Sequence, residues 1–85
     1  MIKMLHRFVK LRKESFGGFL YDAKNHKLFY VNKTGFEIIE GMKKGLSIDT
    51  IINQLVQTYK IQENEVRNSV NNFIKELKRF ELLEV

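Results

Sequence analysis

Apolar residues recur at every second position near the start of the chain, and after Asn32 they recur at every third or fourth. Residues 7–12, RFVKLR, set Val9 and Leu11 on one side and Phe8, Lys10 and Arg12 on the other, the period of a half-buried strand. ESFGG breaks the pattern with two glycines that permit a turn or a bulge. FLYD and KLFYV then read as two strands of a hairpin joined through AKNH.

The second half reads as helix. Asn32 directly follows the third strand, and its side-chain oxygen can accept from the free amides of a helix beginning KTGFEIIEGMKK. Gly41 inside that helix costs about 1 kcal/mol relative to alanine, so either another backbone passes close by or the helix is short. Gly45 closes it. Ser47 caps a second helix, IDTIINQLVQTY, with Ile48, Ile51, Ile52, Leu55 and Tyr59 on one inward stripe. A third, from Glu63 to about Phe80, gathers Val66, Val70, Phe73, Leu77 and Phe80 into a narrow arc at 100° per residue, expected to be core. The tail LLEV fits either a short extra strand or a docked end. The expected fold is therefore α+β: a three-stranded antiparallel sheet followed by three helices, winged-helix-like, with residues 1–85 as a single domain.

Three helices cover only one face of such a sheet, and a sheet covered on one side needs an apolar residue at every second position. Phe19, Leu20 and Tyr21, and Leu28, Phe29, Tyr30 and Val31, are apolar at consecutive positions. One explanation is that strands favour aromatics, which small domains leave partly exposed. The other is completion of the sheet or its edge by another chain, because unpaired edges are normally blunted by charge or proline. Lys27 is the main such protection on the third strand. Outside its core arc, the third helix carries Ile74, Arg67, Lys78 and Asn71 on one flank and Glu65, Ser69, Glu76 and Asn72 on the other. The first flank suits an extended peptide bearing apolar and acidic residues.

Composition narrows the function classes. Eighty-five residues, 44% hydrophobic and 29% charged, suffice for one small core and leave little room for an enclosed active site. The absence of cysteine removes disulfides, thiol nucleophiles and thiolate metal sites, and a cytosolic setting is expected. The charged N-terminus MIKMLHRFVKLRK lacks the apolar core of a signal peptide. A net charge of +5, scattered and interleaved with acids in the second half, favours an acidic partner without naming it. His6 and His26 have no zinc-ligand spacing, and Ser15, Asp22 and His26 lack a nucleophile turn. No enzyme, metal or cofactor is expected.

From Phe8 onward the chain resembles the PqqD-like family, the recognition element of pathways that modify ribosomally made peptides. The resemblance rests on LFYVN at the end of the strand pair, NKTGFEII at the first helix start, KKGLSIDTIINQL leading into the second helix, and VNNFIKELKRFELLE as the closing helix and tail. It implies a domain that binds the leader region of a precursor peptide as an added strand, between the third strand and the last helix. The peptide is then presented to a modifying enzyme, often a radical S-adenosylmethionine maturase. Carried over by position, the edge strand is Lys27, Leu28, Phe29, Tyr30 and Val31, and the helical wall is Arg67, Val70, Asn71, Ile74 and Lys78. Which side chains of the third strand face the peptide stays open, because a one-residue error swaps the faces.

Two alternatives compete with this reading. A DNA-binding winged helix would read the major groove through Asn64, Arg67, Asn68, Asn71, Lys75 and Lys78, but Glu63, Glu65 and Glu76 would repel phosphates. A homodimerisation module would pair its own strand edges. A state of monomer or homodimer fits the sequence equally.

Overall fold

The computed structural model describes residues 5–83. Three strands, β1 (Val9–Glu14), β2 (Gly17–Asp22) and β3 (Lys27–Asn32), precede three helices, α1 (Lys33–Lys43), α2 (Ile48–Tyr59) and α3 (Glu63–Arg79). The strands form an antiparallel meander in the order β1-β2-β3. The α+β expectation, with strands first and helices after, is the observed architecture.

Register decides which residues face the helices. Leu11 lies opposite Leu20, which lies opposite Phe29, and Gly18 lies opposite Val31. These positions, with Val9, form the inward face, where Leu20, Val9 and Val31 are buried. The next positions point outward, so Lys10 aligns with Tyr21 and Leu28, and Arg12 aligns with Phe19 and Tyr30. The sequence placed Val9 and Leu11 on a common face correctly but began the strand at residue 7. Val9 N–H donates to the His6 carbonyl in a turn, and the ladder instead continues to Glu14 opposite Gly17. Gly17 is required there: its φ is +145°, and a Cβ would sit 2.3 Å from the Val31 carbonyl oxygen.

The hairpin joining β2 and β3 is tied by Asp22. One carboxylate oxygen accepts from the Lys24 and Asn25 amides at 3.0 and 3.1 Å, and the other accepts from the Asn25 side chain at 2.9 Å. Burial alone would raise the Asp22 pKa, but these hydrogen bonds and the Lys27 charge outweigh it and hold the carboxyl below its usual value.

At the other end of β3, Asn32 caps α1 as its position predicts, its Oδ1 accepting from Gly35 N–H at 2.8 Å. Ser47 caps α2 through Thr50 N–H at 3.1 Å. At Gly41 it is a side chain, not the expected backbone, that comes close: α1 continues through Lys43, and a Cβ on Gly41 would lie 2.7 Å from Ile51 Cγ1 of α2. Ile38, Ile39, Met42, Ile51, Ile52, Leu55, Val66, Val70 and Leu77 join the inward strand residues in one core.

Two residues assigned to inward stripes depart from them. Tyr59 is exposed at the end of α2, where its hydroxyl donates to Glu37 at 2.9 Å, a bond that pushes its pKa up. Phe80, just past α3, is 42% exposed. In both cases the helical period continues past the last turn that the core covers. In the tail, Leu82 and Leu83 are buried, and Leu83 forms an isolated bridge with Leu5, while His6 N–H donates to the Leu82 carbonyl. The remainder of LLEV, Glu84 and Val85, lies outside the described residues.

Candidate functional site

β3 is an edge strand, hydrogen-bonded within the sheet only to β2. The C-terminal end of α3 reaches the inward face of the sheet beside this strand. The Phe80 ring lies 5.1 Å from that of Phe29 near the start of β3. The Phe73 ring lies against Gly35, just beyond the strand's end, where an added Cβ would be 3.1 Å away. The space beside the β3 edge and this aromatic side of α3 is the candidate groove. Past the Asn32 end of β3, the start of α1, the end of α2 and α3 enclose a pocket of about 300 Å³, lined by Asn32, Gly35, Tyr59, Ser69, Val70 and Phe73 among others.

The structure settles the direction of the β3 side chains. Phe29 and Val31 face inward, Phe29 meeting Phe80 at the end of α3, while Leu28 and Tyr30 point away from the helices. Val31 is buried and Phe29 half-buried, so a strand added beyond β3 would bring its own inward side chains next to Phe29 and Phe80. Lys27 lies at the open end of the strand, opposite Asp22.

The residues expected as the helical wall have different surroundings. Arg67 donates to Asp49 of α2 at 3.1 Å and to Glu63 at 3.1 Å, and these carboxylates push its pKa further up. Its flank of α3 therefore turns toward α2. Phe73 and Phe80, on the opposite side of the buried Val66–Val70–Leu77 stripe, turn toward β3. Val70 is 0% exposed and serves the core. Ile74 is half-buried against that core, and Asn71 and Lys78 are exposed. Lys27 to Val31 form one continuous edge strand, and of the helical residues Arg67 is held on the α2 side by Asp49.

The residues that sequence reasoning passed over are Phe73 and Phe80, taken as core, and Ser69, set on the other flank. The helical wheel separates the two flanks of α3 correctly. It carries no information about which flank meets the sheet, since that depends on how α2 and α3 cross. A second groove, about 740 Å³, lies between the β1–β2 turn and α1 and α2, where Lys13, Lys33 and Lys44 alternate with Glu14, Glu37 and Glu40. Its balanced charges select no ligand class. Among the described residues no group of three His, Asp or Glu side chains is placed to hold a metal ion, and no helix is long and apolar enough to cross a membrane.

A small α+β domain with a free strand edge beside a helix has the form of a peptide-recognition module. The sequence matches the family described as Coenzyme PQQ synthesis protein D (PqqD) over residues 17–83, and the chain belongs to that family. No curated protein matches the sequence. Among solved structures, the fold is similar to one described as lasso peptide synthetase B1 complexed with the leader peptide, with a TM-score of 0.87, 16% identity and 95% of each chain covered. It is also similar to TbiB1 in complex with the TbiA(beta) leader peptide, with a TM-score of 0.88, 18% identity, and 95% of this chain and 94% of that one covered.

Proposed function

We propose that the chain binds the leader region of a ribosomally made precursor peptide as a fourth strand on β3 and presents it, without catalysis of its own, to a modifying enzyme. The observation that carries this reading is the free edge of β3 with Phe80, from the end of α3, packed on Phe29 beside it. Family membership and the leader-bound state of two similarly folded proteins support it. Main-chain hydrogen bonds along Lys27 to Val31 supply register and much of the affinity, whatever the peptide sequence. Alternate peptide side chains enter the groove between Phe29 and Phe80, and the last of them reaches the pocket bounded by Asn32 and Ser69. The modifying enzyme in this reading is a radical S-adenosylmethionine maturase, the partner that the family resemblance implies, and the setting is the cytosol, expected from the absence of cysteine.

The test pairs amide hydrogen exchange with binding of the leader of the precursor peptide encoded beside this chain. New protection is expected at residues 27–31. Phe80→Asp, which removes an apolar wall and adds charge, is expected to weaken binding at least tenfold, equivalent to about 1.4 kcal/mol. Arg67→Glu, on the α2 side, is expected to change it less than threefold. The opposite ranking, or an absence of protection on β3, sinks this assignment of the groove. Steeply salt-dependent binding to duplex DNA with no leader binding would favour the nucleic-acid alternative.

A further inference from the structure

The face of the sheet turned away from the helices is uncovered, and its side chains are not those of a solvated surface. Two rows cross it: Lys10, Tyr21 and Leu28, then Arg12, Phe19 and Tyr30. Phe16, from the β1–β2 turn, meets Phe19 edge-on at 5.3 Å and Tyr30 at 6.1 Å, and Phe19 and Tyr30 are 5.0 Å apart. Tyr30 is 72% exposed, Leu28 53% and Phe16 46%. This is a contiguous aromatic patch held on hydrogen-bonded strands, and contiguous exposed apolar patches rimmed by polar groups mark interaction surfaces.

We propose that this outward face docks the enzyme that modifies the bound peptide, through an apolar patch on that enzyme rimmed by carboxylates. The inference rests on the peptide-binding reading above. Charge favours such an occupant. Lys10 and Arg12 border the aromatics along β1; Arg12 is paired with Glu14 at 2.8 Å, and Lys10 is in no ion pair among the described residues. A second copy of the chain would bring the same two cations and another net +5, whereas an acidic rim neutralises them.

Area points the same way. Three six-residue strands, with a spacing of about 4.8 Å and a rise of about 3.3 Å per residue, present a patch about 15 Å wide and about 20 Å long. That falls short of the roughly 800 Å² per partner of a standard stable interface, so the face by itself supports a contact that forms and releases. Position supplies what area lacks. Leu28 and Tyr30 belong to the strand that would carry the peptide, and an added strand sets its own outward side chains beside them. The enzyme then meets one surface, part protein and part peptide. Holding the peptide raises the effective concentration of each contact for the other, so the loaded chain is preferred over the free one.

The test uses the purified maturation enzyme encoded with the precursor peptide, and measures its binding to the chain alone and to the chain saturated with synthetic leader. The variants Phe16→Lys and Phe19→Lys change no residue of β3 or α3, and, because both rings pack on the outward side of Tyr30, leader affinity is followed separately by fluorescence anisotropy. Enzyme binding is expected to weaken at least tenfold in both, with leader affinity changed less than twofold, and to be tighter for the loaded chain. Phe16 is in a turn, so Phe16→Lys decides the matter if Phe19→Lys does not fold. Unchanged enzyme affinity with intact leader binding overturns the docking surface and spares the groove. Failure of the unaltered chain to bind leader overturns the peptide reading itself. A dimer in sedimentation velocity that Phe16→Lys abolishes assigns the face to a second copy and overturns the proposal.

Discussion

Asn32 is where the two halves of the fold meet, and its side chain does local work at the groove's end. It closes β3, caps α1 through Gly35 and borders the pocket beside Phe73. Asn32→Ala is expected to cost about 1 kcal/mol, the usual loss of a helix cap. In a domain of this size that lowers the melting temperature by about 4–8 °C, measurable by circular dichroism. Asp22 does comparable work at the opposite end of β3, and its effect depends on pH. Its folded pKa lies below the ordinary 3.8, so its contribution is present above that value and is lost as pH falls through the folded pKa. Acid titration of stability should therefore show an extra loss below about pH 4 that Asp22→Ala lacks, alongside lower stability of that variant at neutral pH. An identical acid profile in the two proteins would remove Asp22 from this role.

Among the elements, β3 and α3 define the groove, and each is held in place from its far side. β3 is fixed by pairing with β2, where the last rung depends on Gly17. Gly17→Ala forces a side chain into a left-handed backbone and against the Val31 carbonyl. A cost of about 1–3 kcal/mol is expected, read as a lower denaturant midpoint. Hydrogen exchange should locate the loosening at the Val31–Asn32 end of the edge. α3 is fixed by its packing on α2 and by Arg67, which ties its second turn to Asp49 of α2 as well as to Glu63 in its own first turn. Both pairs are exposed, so they are worth little as stability. Their consequence is orientational: with Arg67 toward α2, the aromatic flank faces the strand.

At the scale of the whole molecule, the two faces of one small sheet have opposite surroundings. The inward face joins the three helices in a single core that includes Leu20, Ile39, Ile52 and Val70. The outward face leaves Tyr30, Leu28 and Phe16 in water, an arrangement that hydrophobic burial within one chain does not favour. The edge between them, β3, belongs to both. A peptide added there would be gripped on its inner side by α3 and displayed on its outer side with the aromatics. In this reading the domain joins binding and presentation through the alternation of a single strand.

The amino-acid sequence alone determined the order of three strands and three helices, the caps at Asn32 and Ser47, most of the core, and the surplus of apolar residues on β2 and β3. These follow from local periodicity and short-range hydrogen bonding, which are written within a few residues. Family membership was legible in the same way, because LFYVN, NKTGFEII and their spacing lie along the chain. What only the tertiary structure decided was the face of α3 that meets β3. Arg67 and Ile74 on one flank, and Phe73 and Phe80 nearer the other, are equally compatible with the helical period. The choice was made by the crossing of α2 and α3, long-range packing that no local pattern records. The same holds for Leu28 and Tyr30: alternation showed that one pair of β3 residues had to point outward, and the register against β2 and the side on which the helices pack fixed which pair it was.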